Sequence, residues 1–223
     1  MTVTVVIPCY NEERYLGGCL TALSRQTLKP DQIIVVDNRS RDRSRHIAAR
    51  YAVRIITETR QGMIFARNTG FNACRTTIIA RCDADSRPPT DWVANICRFF
   101  ETTASDAGSG PIGFYDLPNR SIFPSVIYQR LATLYQRYPP LIGPNMFLRR
   151  SIWEKVKDTV CTREEHVHED IDLAIHIHQA GGKIGFTRDV INYASARRMK
   201  RRPLSFFGEY PVRLIKTWRH HSV

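Results

Sequence analysis

No stretch of this 223-residue chain approaches 18 consecutive apolar residues, so nothing in it has the pattern of a membrane-spanning helix. The opening Met1-Thr2-Val3-Thr4-Val5-Val6-Ile7-Pro8 lacks the basic start and long apolar core of a signal peptide. It reads as a first strand, and the expected location is the cytoplasm, free or peripheral on the inner face of the plasma membrane. The 6 cysteines include no Cys-x-x-Cys pair, which excludes zinc ribbons and small disulfide-stapled folds. No Gly-x-Gly-x-x-Gly follows the first strand and no Gly-x-x-x-x-Gly-Lys-Ser/Thr occurs anywhere, so neither a dinucleotide fingerprint nor a P-loop is available. Repeats, low-complexity tracts and Gly/Ser linkers are also missing, which leaves one domain as the organisation.

Acidic residues are scarce: 21 Asp and Glu against 33 Lys and Arg give a net charge of +12. Such a charge calls for an anionic partner, which could be nucleic acid, a phosphate-bearing substrate or an anionic membrane face. The excess is unevenly placed. Residues 193–223 hold eight cations against Glu209 alone, so +7 of the +12 sits there and +5 remains for residues 1–192. We therefore divide the chain into a domain at 1–192, with a first half to residue 100 and a second from 101, and a basic segment at 193–223.

Val3 to Ile7 is a β-branched run suited to a strand buried on both faces. An amphipathic helix follows, with Asn11 placed to cap it and Leu16, Leu20 and Leu23 on one face. Ile33 to Asp37 is a second buried strand, and Ser40 is placed to cap a short helix from Asp42. Strands at Val53 to Thr57 and Thr77 to Arg81 alternate with helices at Gly62 to Ala73 and Thr90 to Phe100. Four such units predict a mostly parallel, Rossmann-like central sheet flanked by helices. In the second half we expect strands at Ser109 to Phe114, Asn145 to Arg149 and Lys183 to Thr187. Helices are expected at Ile122 to Arg137 and Asp170 to Ala180, the latter stopped by Gly181-Gly182.

Ligands of such sheets bind beyond the carboxyl ends of the strands, which singles out Pro8 to Glu12, Asp37 to Ser40 and Arg81 to Ser86. In Asp83-Ala84-Asp85 two carboxylates at i and i+2 suit a hard divalent cation, Mn2+ or Mg2+; a polar loop with good capping residues would look the same. Asp37 could contact a base or ribose, or simply start a loop. Tyr10 and Glu12 offer a ring and an acceptor, or a surface aromatic and a helix-dipole acid. Glu164, Glu165, Glu169, Asp170 and Asp172 form an acidic cluster from which a general base could come, although Asp170 also suits an ordinary helix start. The histidine pairs 166/168 and 176/178 invite a zinc reading, but a zinc site is not the expectation, because there is no His-Glu-x-x-His, no cysteine partner, and His176 and His178 point to different helix faces.

Taken in order, these segments resemble the inverting, nucleotide-sugar-dependent glycosyltransferases of family 2, which have the GT-A fold. The resemblance runs through Val5-Val6-Ile7-Pro8-Cys9-Tyr10-Asn11-Glu12-Glu13, Ile33 to Asp42, Ala66-Arg67-Asn68-Thr69-Gly70, Asp83-Ala84-Asp85-Ser86, Gly143 to Arg150 and His168-Glu169-Asp170-Ile171-Asp172-Leu173. It implies that Pro8, Tyr10, Glu12 and Asp37 hold the nucleoside, with Arg67 beside that pocket and Asp83 facing the ribose. It further implies that Asp85 binds the metal on the diphosphate, and that Asp170 of the Glu169-Asp170 pair is the general base. A Gln-x-x-Arg-Trp motif is absent, so transfer of one sugar is expected rather than polymerisation. The donor would be a UDP-sugar in preference to a GDP-sugar, and the acceptor a saccharide or lipid-linked hydroxyl in cell-envelope or polysaccharide synthesis.

The basic segment places Leu204, Phe207, Leu214, Ile215 and Trp218 at roughly helical spacing among cations, with Pro211 as a break. Residues 197–220 could lie on an anionic membrane or pack on the domain, and Arg197 or Arg198 could close over the donor diphosphate. A basic nucleic-acid-binding α/β protein would explain the charge but not six ordered motifs, so nucleic acid is not the expected partner. A sugar-nucleotide nucleotidyltransferase would need a Gly-rich basic loop where Cys9-Tyr10-Asn11-Glu12 stands. A haloacid-dehalogenase-like phosphatase would carry its Asp-x-Asp after the first strand rather than the fourth.

Overall fold

A computed structural model describes residues 1–162, 167–201, 216, 217 and 221, apart from the side chains of Arg198 and Arg201. Strand β1 (Val3–Cys9) is buried along its whole length and lies inside a seven-stranded sheet. Its side chains alternate: Val3, Val5, Ile7 and Cys9 enter one core, Val6 the other. On one side of β1 run β2 (Gln32–Asp37) and β3 (Arg54–Thr57), and on the other β4 (Ile78–Arg81), all four parallel. Beyond β4 the sheet continues through β7 (Met146–Arg149), β5 (Ala107–Ser109) and β8 (Ile184–Phe186). β7 is antiparallel to β4 and to β5, while β5 and β8 are parallel, so β7 alone runs against the other six. A parallel pair, β6 (Ile112–Phe114) and β9 (Asn192–Ala194), forms a separate small sheet.

Helices cover both faces, as the unbroken apolar strands require. The first core joins the sheet to α1 (Leu16–Ser24), α2 (Ser44–Ala48) and α4 (Trp92–Thr102) through Leu16, Leu20, Leu23, Ala48, Trp92 and Ile96. The second joins it to α3 (Met63–Ala73), α6 (Arg150–Val156) and α7 (Glu169–Gln179) through Phe71, Trp153, Ile171 and Ile175. Helix α3 lies very close to the sheet: a Cβ on Gly70 would sit 2.3 Å from Val6 Cγ1 and 2.9 Å from Val36 Cγ2, so only glycine fits there. That close approach sets Arg67, one turn earlier, deep in the interior, where it is completely buried.

The mostly parallel sheet matches the sequence expectation, but some local details differ. Asn11 does not cap α1, which starts at Leu16 with no side-chain cap. It sits instead in the left-handed region at φ 55°, where its Oδ1 accepts from the Arg41 amide at 2.8 Å. Ser40 accepts from the Asn11 amide at 3.1 Å rather than capping α2, which begins at Ser44. Both side chains cross between loops because two strand ends lie side by side. The expected strand from Ser109 to Phe114 splits at Gly110-Pro111 into β5 and β6, in different sheets. Gly181, at φ +77°, ends α7 as anticipated. Helix α5 (Phe123–Gln136) packs less completely, leaving Phe123, Ile127, Leu131, Leu134 and Tyr135 exposed. None of the helices among the described residues is long and apolar enough to cross a membrane.

Candidate active site

The carboxyl ends of β1, β2 and β4 meet along one edge of the sheet, since Cys9 is paired with Asp37 and Val6 with Arg81. The loops leaving β1 and β2 are tied to each other, with the Glu12 amide donating to Ser44 Oγ at 2.7 Å and the Glu13 amide to Asp42 Oδ2 at 2.9 Å. Pro8 lies buried within β1, and Tyr10, just beyond it, is 48% exposed and available to a ligand. Asp37 is buried and accepts from the Ser40 amide at 3.1 Å, with Arg45 Nη1 3.8 Å away.

Two charge networks begin at these strand ends. In the first, Arg197 from α8 (Arg197–Arg201) pairs through Nη2 with Glu12 and through Nε with Asp85 Oδ2 at 3.0 Å, while its guanidinium lies 4.4 Å from the centre of the Tyr15 ring. Burial and the neighbouring Asp83 push the Asp85 carboxyl up to about 7. Burial also raises Glu12, against the opposing pull of Arg197, and Glu12 Oε2 is buried with no hydrogen-bond partner among the described residues. A site that draws two raised carboxylates onto one guanidinium is a site for concentrated positive charge.

The second network runs through the interior. Arg81, at the end of β4, binds Asp83 Oδ1 at 3.1 Å and Glu169 Oε1, and Arg67 binds Glu169 Oε2 at 2.7 Å and also its backbone carbonyl. Arg67 therefore lies under Glu169, and its contacts are with that acid and with Asn68 Oδ1 at 3.0 Å. A Cβ on Gly143 would come within 3.1 Å of Arg81 Nη2 and 3.3 Å of Glu169 Oε1, so a side chain there would crowd the pair.

Asp170, next to Glu169 in the first turn of α7, is 3% exposed. Its Oδ2 accepts from the Gly143 amide at 2.9 Å, and its Oδ1 from the Ile171 amide at 2.8 Å and from His168 Nδ1. Burial pushes this carboxyl up, but His168, the Gly143 amide and the Arg81 charge together outweigh it and hold it below the ordinary range. Asn145 anchors the same neighbourhood. It accepts from Trp92 Nε1 at 2.8 Å and donates to the carbonyls of Val190 at 2.8 Å and Pro111 at 3.1 Å, which ties β7 to α4 and the loop before β9.

The structure thus brings Glu12, Asp83, Asp85, Glu169 and Asp170 into two linked networks, with Tyr10 and Asp37 on the adjoining rim. Sequence reasoning missed Arg81 as a centre of these contacts. The available signal was a cation inside the apolar run Ile78-Ile79-Ala80-Arg81, a position that demands a buried partner. Glu164, Glu165, His166 and the apolar series from Leu204 to Ile215, with Trp218, fall outside the described residues.

The sequence profile of Glycosyl transferase family 2 matches residues 4–157, more than half of the chain. The chain belongs to glycosyltransferase family 2. Among curated relatives, this glycosyltransferase is 28% identical to glycosyltransferase AglE of Haloferax volcanii over 218 residues, 87% of this chain and 67% of AglE. Among solved structures it resembles the Pyrobaculum calidifontis mannosyltransferase PcManGT in complex with GDP-Man and Mn2+, at a TM-score of 0.75 and 21% identity over 98% of this chain and 63% of that one. It also resembles S. aureus TarS in complex with UDP-GlcNAc, at a TM-score of 0.67 and 18% identity over 87% of this chain and 58% of that one. These likenesses establish the GT-A fold. The glycosyltransferase spans about two thirds or less of the length of each of these three proteins.

Proposed function

We propose that this chain transfers one sugar from a nucleoside-diphosphate sugar to an acceptor hydroxyl with inversion at the anomeric carbon, in cell-envelope or polysaccharide biosynthesis. The observation that carries this reading is the convergence of Glu12 and Asp85 on Arg197, beside the Asp83–Arg81–Glu169 chain that ends next to Asp170. Tyr10, Pro8, Glu12 and Asp37 would line the nucleoside pocket, with Asp83 towards the ribose. A UDP-sugar is favoured over a GDP-sugar; among the structural neighbours, TarS binds UDP-GlcNAc and PcManGT binds GDP-Man.

A divalent cation, Mn2+ or Mg2+, fits the acid-lined end of β4: a guanidinium already sits against Asp85, and Glu12 Oε2 is a buried oxygen without a hydrogen bond among the described residues. Asp85 would hold the ion, which when bound offsets the negative charge that grows on the departing diphosphate. Arg81 and Arg67 fix Glu169 in place through its two carboxylate oxygens, and this positions the start of α7. Asp170 is held deprotonated by its donors, so it can take the proton of the acceptor hydroxyl as that oxygen bonds to the anomeric carbon. The bond from that carbon to the diphosphate oxygen breaks in the same step, and the electron pair leaves with the diphosphate.

On the acceptor side, the exposed apolar residues of α5 lie among the exposed cations Arg120, Arg130 and Arg137. That combination supports a lipid-linked acceptor presented at an anionic membrane surface. A thermal-shift panel of UDP-, GDP- and TDP-sugars with and without Mn2+ tests the donor assignment. A metal-dependent shift with one nucleotide is expected, and no shift with any of them would overturn it.

A further inference from the structure

A second group of chemically reactive side chains lies on α7, on the surface turned towards Cys161 and His221. Asp172 and His176, at i and i+4, share one helix face, and Cys161 and His221 reach the same point from elsewhere in the chain. One donor atom from each of the four lies within 4.8 Å of the other three. Asp172 Oδ1 is 2.8 Å from His221 Nε2 and 3.5 Å from His176 Nε2, and Cys161 Sγ is 3.8 Å from His221 Nε2. Tetrahedral zinc, with bonds of about 2.0–2.3 Å, places its ligand atoms roughly 3.3–3.7 Å apart. The 3.5 and 3.8 Å separations are close to this, and the 2.8 Å Asp172–His221 hydrogen bond would open to admit the ion.

Three further features fit an ion. His176 Nε2 is buried and makes no hydrogen bond among the described residues, although buried ring nitrogens normally have a partner. Asp172 is completely buried, and its second oxygen accepts from the Cys161 amide at 3.1 Å, the kind of outer contact that orients a ligating carboxylate. His178, two residues on from His176, turns away and stacks on Tyr138 with ring centres 4.1 Å apart, so the two histidines do not compete for one point.

We propose that Cys161, Asp172, His176 and His221 bind a structural Zn2+ that fastens His221, whose amide donates to the Thr217 carbonyl at 3.1 Å, to α7. The donor set of one sulfur, two imidazoles and one carboxylate favours zinc over Mn2+ or Mg2+, which prefer oxygen throughout. Four protein ligands close the coordination sphere, so the ion is structural rather than catalytic. Thr217 Oγ1 already accepts from the His168 amide at 2.6 Å, so Thr217 and His221 together brace the residue that holds Asp170. The cysteine partner that the sequence seemed to lack is Cys161, brought in after α6 and eleven residues before Asp172.

The test is Co2+ titration of the full chain after removal of bound metal with a chelator. Expected are one equivalent bound with a tetrahedral visible spectrum and a thiolate-to-cobalt charge-transfer band, both displaced by Zn2+. Cys161→Ser should remove the charge-transfer band, and His176→Gln should weaken zinc binding by at least about tenfold. Asp85→Asn should leave the tetrahedral spectrum and the thiolate-to-cobalt band intact, which separates this ion from the metal of the donor site. The wild-type spectrum decides the matter even if a variant fails to fold. An octahedral spectrum, a missing thiolate band or undiminished zinc binding by Cys161→Ser would overturn the proposal.

Discussion

Arg197 Nε lies 3.0 Å from Asp85 Oδ2, and the same guanidinium reaches Glu12, so one side chain from the basic segment neutralises the acids at the ends of β1 and β4. A divalent ion arriving at Asp85 must displace or share this cation. Arg197→Ala should therefore tighten Mn2+ binding in the absence of donor by about 2- to 5-fold, the worth of one partly exposed ion pair. Calorimetric titration with Mn2+ measures it. Unchanged or weaker affinity would show that the two cations do not compete.

Asp85→Ala removes the carboxylate to which we assign the ion. Donor binding in Mn2+ should fall to the level seen without metal, and added metal should no longer shift the melting temperature with nucleotide present. Retention of a metal-dependent shift would assign the ion to other residues.

Asp170→Asn keeps an oxygen for the Gly143 amide but cannot take a proton. Turnover should drop by about 10²- to 10⁴-fold while donor affinity stays close to wild type, a contrast with Asp85→Ala that separates the two roles. Near-normal turnover measured at saturating donor would falsify the base assignment.

Glu58, whose amide donates to the Asp37 carbonyl at 3.0 Å, tests a buried charge beside the end of β2. Arg60 contributes its side chain and its amide, and with Thr69 they hold the Glu58 carboxyl down at about 2. The folded value lies below the unfolded one of about 4.3, so the contribution is complete above that pH and is lost as pH falls towards 2. Because Arg60 is exposed, about 1–2 kcal/mol is expected. Denaturant unfolding of Glu58→Gln should show this loss at pH 7 and a much smaller difference from wild type near pH 2.

Leu131 and Leu134 on α5 are 62% and 78% exposed, so replacing both with serine should leave the melting temperature nearly unchanged. Co-sedimentation with vesicles containing anionic lipid should fall at least tenfold, since each buried leucine contributes about 1.5–3 kcal/mol. Equal pelleting of variant and wild type would remove α5 from the membrane contact.

Short-range residue pattern was enough to specify the layered fold and the edge on which the site stands. Unbroken runs such as Val3 to Ile7 and Ile33 to Val36 can only be strands covered on both faces, and the acids Asp37, Asp83 and Asp85 follow directly at strand ends. Each of those signals depends on neighbours within a few residues. Which charges meet depends instead on long-range packing: Arg81 with Glu169 across 88 positions, Arg67 with the same acid across 102, and Arg197 with Glu12 across 185. Local periodicity carries no information on such pairings. They are set by how closely α3 can approach the sheet at Gly70 and by where α7 and α8 come to rest. The same holds for Cys161, Asp172, His176 and His221, whose spacing in sequence gives no zinc motif and whose donor atoms packing gathers within 4.8 Å.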